Sequence, residues 1–276
     1  MRIVSSLISN CLALPKIIWQ NRTLLWMLSR RNVESRYKGS ALGLIWSFVQ
    51  PLLMMCVYTF VFGLVFKARW PGEIGKNPLA FPVLMLCGMS VYTVFSESVS
   101  LNCGTIVGNP NYVKKVVFPL EILPTAQVFA SFLLGLAWFG LLFFGSVLIL
   151  RRVTASILFF PIVLLPLLFF SLGVSFFVSS MSVYARDTPH LTAVVLQVFF
   201  FMTPIFYSMQ TLPPAAARVL SANPLAYVVE AVRDVFVYSQ IPSWSQFGMV
   251  MIESLVVLLV GFLWFEKTKK GFADVI

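Results

Sequence analysis

Charge is what this sequence has least of. Only 11% of its 276 residues are Asp, Glu, Lys or Arg, against about 25% in soluble domains, so the chain cannot cover its surface in water. Lipid has to be its solvent. Histidine occurs once, at His190, which excludes a histidine-based metal cluster or proton relay. The four cysteines, Cys11, Cys56, Cys87 and Cys103, have no C-x-x-C spacing; buried free thiols are expected, and neither a disulfide nor a metal site. The phosphate-binding pattern G-x-x-x-x-G-K-[ST] is missing, since Gly75-Lys76 is followed by Asn77. The chain therefore has no loop of its own to cradle a nucleotide, and no cofactor is expected in it. H-E-x-x-H and G-x-S-x-G are missing as well, which weighs against a membrane-embedded glycosyl- or acyltransferase. The first residues carry only a short apolar patch and no small-residue cleavage site, so no removable signal peptide is expected.

Apolar sequence fills the space that charge leaves. Hydrophobic residues make up 59% of the chain and the mean hydropathy is +0.90. Six apolar stretches, roughly 42–66, 80–103, 126–150, 156–183, 190–208 and 246–265, are each near the ~20 residues that span a bilayer as a helix. The expected fold is all-α: one polytopic membrane domain with six transmembrane helices. Pro51, Pro161 and Pro166 predict kinks that neighbouring helices satisfy. Residues 209–240 hold Pro213, Pro214, Arg218, Pro224, Glu230, Arg233 and Asp234, too polar a mixture to face lipid. Short re-entrant or interfacial helices on the outer side suit that segment.

An even number of spans puts both termini on one side. That side collects Arg2, Lys16, Arg22, Arg30, Arg31, Arg36, Lys38, Lys114, Lys115, Arg186, Lys267, Lys269 and Lys270, or 13 of the 20 basic residues. Lys67, Arg69, Lys76, Arg151, Arg152, Arg218 and Arg233 fall opposite. The positive-inside rule then predicts cytoplasmic termini. The net charge of +10 is read as topology and headgroup contact, with no basic–aromatic interleaving that would suit nucleic acid.

Residues 14–34 predict an amphipathic helix in the interface. Leu14, Ile17, Ile18, Leu25 and Leu28 share one face, while Lys16, Gln20, Thr23 and Arg30 lie opposite with Trp19 and Trp26 among them. Charges inside the spans are costly and mark function. Glu97, among Ser96, Ser98 and Ser100, predicts a hydrogen-bonded site between helices; Glu253 lies in the sixth span. Glu230, Arg233 and Asp234 are spaced to pair on one helix. Between the second and third spans, Asn109 can cap a helix that Pro110 begins, followed by Lys114, Lys115 and a stiff exit at Pro119 and Pro124.

Ser29-Arg30-Arg31, Ser35-Arg36-Tyr37-Lys38-Gly39-Ser40, Leu42-Gly43, Trp46 and Pro51-Leu52 resemble the approach to the first span in one family. That family is the membrane subunits of type-2 ABC exporters of lipid-linked polysaccharides: O-antigen, teichoic acid and capsule. Val113-Lys114-Lys115-Val116 with Phe118-Pro119-Leu120-Glu121-Ile122-Leu123-Pro124 resembles its coupling region. Arg186-Asp187-Thr188, Thr203-Pro204-Ile205-Phe206-Tyr207, Asn223-Pro224-Leu225, and Glu230 with Arg233 follow in order. The likeness runs from about residue 15 to the C-terminus; it departs at Asn32-Val33-Glu34, where the family commonly has an acidic residue, Leu and Lys.

The resemblance implies a homodimer in the inner membrane, framing a channel and seated on two copies of a separate ATPase that binds ATP and Mg. Residues 109–118 would be the coupling helix, with Asn109, Lys114, Lys115 and Phe118 at the ATPase and Arg186 and Asp187 as a second contact. A simple turn with interfacial lysines is the alternative. The implied cargo is an undecaprenyl-pyrophosphate-linked glycan of O-antigen type. Its pyrophosphate would meet Arg30, Arg31, Arg36 and Lys38, since arginine forks match phosphate oxygens; headgroup anchoring is the alternative there. Aromatic faces stack on sugar rings without fixed hydrogen-bond geometry, which points to Trp46, Tyr58, Phe62, Phe199, Phe200, Phe201 and Tyr207 as channel lining. Glu230, Arg233 and Asp234 would set an outer gate, with structural pairing alone as the alternative. A type-2 ABC permease for another lipid or a drug is the competing reading.

Overall fold

A computed structural model describes residues 14–66, 70–71, 80–114, 118–151 and 155–276, and every regular element among them is helical. Lys115, Cys11, Arg2, Lys67, Arg69, Lys76 and Arg152 lie outside the described residues. Helical residues 14–20 lead into α1 (Arg22–Arg36). Asn21 marks the joint, its side-chain amide donating to the Ile17 carbonyl at 2.9 Å. Leu14, Leu25 and Leu28 are buried, whereas Trp19 and Trp26 are 72% and 59% exposed. The amphipathic pattern thus becomes a helix two residues longer than expected, packed on the bundle by its leucine face.

Among the described residues, five helices are long and apolar enough to cross a membrane. The first is α2 (Trp46–Tyr58), preceded by a 3-10 turn at Gly43–Ile45 and continued by a π-helical stretch at Thr59–Val65. The second is α3 (Ala80–Asn102). A short α4 (Pro110–Val113) precedes α5 (Ile122–Gly145), which continues as a π-helical turn at Ser146–Leu150. The fourth stretch breaks at its prolines into Ala155–Phe159, Phe160–Val163 and α6 (Leu165–Tyr184). The last spanning helix, α10 (Trp244–Thr268), ends in the turns Lys269–Gly271 and Phe272–Val275.

The expected span at 190–208 corresponds to a shorter apolar helix, α7 (Thr188–Met202), of 15 residues or about 22 Å at 1.5 Å per residue, followed by the apolar reversal at 203–208. The chain reverses at Thr203–Ser208 and returns through α8 (Pro214–Ser221) and α9 (Pro224–Arg233), extended by a π-helical turn at Asp234–Tyr238.

Helix α3 is the axis of the core. In its most apolar window 72% of residues are buried, against 6% for α2. Its polar residues explain the placement. Ser90, Ser98 and Asn102 are fully buried, and polar groups of this helix bond to its neighbours: the Tyr92 hydroxyl donates to the Leu196 carbonyl at 2.5 Å, the Ser98 carbonyl accepts from the Ser175 hydroxyl at 3.2 Å, and the Asn102 amide donates to the Pro124 carbonyl at 3.4 Å. Helices α6 and α10 cross with unusual intimacy: a Cβ on Gly261 would stand 2.0 Å from the Gly173 carbonyl oxygen. Small residues allow such backbone approach, the usual source of cohesion between helices in lipid.

Candidate functional site

Three groups of side chains stand apart from ordinary packing. The first is at the end of the bundle that carries the chain's last residue. Arg36, the final residue of α1, donates through both guanidinium nitrogens to the two carboxylate oxygens of Glu97 on α3, at 2.8 and 2.6 Å. Burial works against the Arg36 charge, but the Glu97 hydrogen bonds outweigh it and raise the pKa. Arg30 pairs with Glu34 one turn away at 2.7 Å. Arg31 donates to the Tyr112 hydroxyl at 3.2 Å and lies 6.0 Å from the centre of its ring; Lys38 is exposed. The four basic residues singled out from sequence thus share one end, and Arg36 alone reaches a transmembrane carboxylate.

The segment after α3 belongs to the same end. Of the helix expected over 109–118, the turn Pro110–Val113 is helical, and residues 115–117 lie outside the described residues. Pro110 does start it, but Asn109 makes no side-chain cap; its amide donates backward to the Thr105 carbonyl at 2.9 Å. Lys114 closes the turn, and Phe118 returns onto Tyr112 with ring centres 4.5 Å apart. Glu121 then sits 3% exposed at the head of α5. It accepts from Lys269 just beyond α10, which also donates to Glu266 at 2.5 Å. An open cavity of about 690 Å³ lies alongside, lined by Phe118, Pro119, Glu121, Lys269, Lys270 and residues of the interface helix. Arg186 and Asp187 form the exposed turn between α6 and α7.

The second group is aromatic. Phe206, in the reversal after α7, stacks on Phe62 at 4.4 Å and touches Tyr58 at 5.2 Å and Phe200 at 5.4 Å. It joins α2 to α7, and position alone did not single it out. Phe200 continues the seam to Tyr92 and Phe201, while Phe199 turns toward Phe95. Tyr207 donates to the Phe201 carbonyl at 2.9 Å. Trp46 is not part of this seam; it begins α2, twelve residues before Tyr58, or about 18 Å away along the helix axis.

The third group holds the reversal. Arg233 is 0% exposed, yet fully engaged. It pairs with Glu230 at 2.8 Å, donates to the carbonyls of Pro204 and Ile205 at 2.5 and 3.1 Å, and reaches that of Leu84. Its guanidinium carbon lies 4.5 Å from the centre of the Trp70 ring, and Trp70 donates to the Tyr238 hydroxyl at 2.8 Å. Asn223 caps α9 by accepting from the Leu225 amide, and donates to the Met202 carbonyl and the Thr203 hydroxyl. Carbonyls freed where α7 stops are thereby satisfied by side chains, as buried backbone requires. Gly88 makes room, since a Cβ there would come within 2.8 Å of the Ile205 Cα. Asp234 is half-buried beside this knot; burial first, then Glu230, push its carboxyl up to about 6. Glu253 is half-buried on α10. No group of three or more metal-ligating side chains occurs among the described residues.

The profile of the ABC-2 type transporter family matches residues 23–237. The chain belongs to that family. It is similar to the O-antigen export system permease protein RfbA of Myxococcus xanthus, 28% identical over 263 residues and covering 95% of this chain and 98% of the relative. A protein of the same name in Klebsiella pneumoniae is 25% identical, with 92% and 95% covered. The polysialic acid transport protein KpsM of Escherichia coli is 23% identical over 84% of this chain and 88% of its own length. As an ABC-2 type transporter, the chain is a multi-pass membrane subunit whose helices span with little charge.

Proposed function

We propose that this ABC-2 protein is the channel-forming subunit of an ATP-driven exporter of lipid-linked polysaccharide. In this reading it works as a homodimer in the inner membrane with both termini cytoplasmic. Two copies of a separate ATPase bind ATP and Mg, and dock on Lys114, Phe118 and the turn at Arg186 and Asp187. The cargo is an undecaprenyl-pyrophosphate-linked glycan of O-antigen type. The observation that carries the reading is the aromatic seam of Tyr58, Phe62, Phe200 and Phe206, which joins α2, the least buried spanning helix, to α7. Aromatic faces hold successive sugar rings weakly and let them slide. Exposed α2 and α7 are what one protomer of a two-protomer channel presents.

The test is reconstitution of the chain with its ATPase in nanodiscs and vesicles. Lipid-linked O-antigen-type glycan is expected to change ATP hydrolysis and to become accessible on the far side only when ATP is hydrolysed. Transport of a lipid or drug in place of glycan would overturn the cargo assignment, and assembly with no ATPase would overturn the reading altogether.

A further inference from the structure

The Arg36–Glu97 pair is more than a brace between the interface helix and the bundle. It stands where two clefts meet, and both include its side chains in their walls. The cleft toward Tyr37, Ser47, Gln50 and Trp138 is nearly closed, with about 10 Å³ of free space. The one between α3 and α7 is open and holds about 500 Å³, within the range of ligand cavities. Ser96, Ser100 and Gln197 supply polar groups to it, and Phe200 ties its upper edge to the aromatic seam.

A two-pronged arginine is the natural partner of a phosphate, and a carboxylate is the side chain that copies phosphate best. A glycine joint lies next to the pair. Between α1 and α2 the chain passes through Gly39 and Gly43 with φ of +84° and +53°, and a Cβ on either would meet nothing within 4 Å. That left-handed backbone favours glycine.

We propose that Arg36 is the receptor for the diphosphate headgroup of a lipid-linked cargo, and that Glu97 is a built-in competitor that closes and empties this site. The inference rests on the function proposed above and adds a release device to it. An incoming diphosphate takes the Arg36 fork from Glu97, and the displaced carboxylate then opposes it by like charge. Affinity is held down, and departure of the lipid is followed by re-formation of the pair. A transport site has to bind well enough to load and weakly enough to unload.

Binding is measured on the full chain with its ATPase in nanodiscs, with undecaprenyl diphosphate as probe and undecaprenyl monophosphate, phosphatidylglycerol and soluble pyrophosphate as comparison arms. Glu97→Gln is expected to bind the diphosphate lipid about tenfold more tightly and to export more slowly. Arg36→Gln is expected to lose about tenfold in binding. Glu97→Asp, which keeps the charge and guards against misfolding of the Gln variant, should fall between wild type and Glu97→Gln. Pyrophosphate should compete at higher concentration, which separates the headgroup chemistry from the lipid tail. The latch fails if Glu97→Gln and Glu97→Asp bind no more tightly than wild type while melting lower, the signature of a brace. Equal competition by phosphatidylglycerol would reduce the site to general headgroup contact and overturn the assignment. Export of glycan by wild type with unchanged Glu97→Gln binding sinks the latch alone; tighter binding without glycan export sinks the functional reading alone.

Discussion

Glu121 and Lys269, 148 positions apart, form an ion pair in which the carboxylate is 3% exposed. The pair joins the exit of the 109–118 segment to the end of α10. Burial pushes the Glu121 carboxyl up, yet its hydrogen bonds with Glu266 and Lys269 outweigh burial and hold it below its ordinary value. A carboxyl depressed by folding adds stability above its unfolded pKa, about 4.3, and that stability is lost as pH falls through the folded value. Protection of the amides of residues 118–122 and 269–275, taken relative to the intrinsic exchange rate at each pH, should therefore be high at pH 7 and fall as pH is lowered toward 3. Glu121→Gln should lower that protection throughout. Identical protection in both proteins at pH 7 would rule the pair out as a fastener.

Arg233 supports a second prediction. Removing one partner of a buried pair costs about 3–5 kcal/mol because the other groups are left unmatched. Arg233→Ala should lose stability of that order in thermal unfolding. Arg233→Lys should recover little, since a single ammonium cannot serve Glu230, Pro204 and Ile205 from one position. Full recovery by lysine would show that charge, and not the fork, holds the reversal.

Asp234 titrates in the opposite sense to Glu121. Its folded pKa of about 6 lies above the ordinary value of about 3.9, so the folded chain holds the extra proton between them. Stability then declines as pH rises through that window and stays lower above it. Asp234→Asn should melt higher than wild type at pH 7.5 and equally at pH 4. Parallel melting curves at both values would contradict this.

The single turn at Pro110–Val113 predicts where coupling is lost. Lys114→Ala combined with Phe118→Ala removes the closing cation and the ring that packs on Tyr112. ATP hydrolysis by the assembled complex is expected to persist while export falls at least tenfold. Export at the wild-type rate would exclude this segment as the mechanical link.

Much of this was legible because lipid imposes simple rules. Scarce charge and long apolar runs announced the spans, and the periodicity of Leu14, Leu25 and Leu28 announced the interface helix. Prolines announced the breaks at Phe160–Val163. Other features depend on distant partners. Nothing near Asn109 says that its amide turns back to Thr105 and leaves Pro110 uncapped. Pro204 pushes Thr203 out of the helical region and so announces that α7 stops at Met202, but nothing nearby names Asn223 and Arg233 as the donors that meet the freed carbonyls. Glu97 was visible as a buried charge, but Arg36 as its partner was not, being 61 positions away. Trp70 escaped for the same reason, and Phe206, quoted only within a motif, shows its role only through Phe62 and Tyr58 on another element.

The crossing of Gly173 and Gly261 decides which parts of the protomer are free to shift. Sliding α10 along α6 by one helical turn would bring Val257 or Phe265 to where Gly261 sits, against a carbonyl oxygen that leaves no room even for a methyl group. These two helices are therefore locked in register as a stator. Under the function proposed above, any widening of a path for a bulky polymer would fall to α2 and α7, since α2 is the spanning helix that the fold buries least.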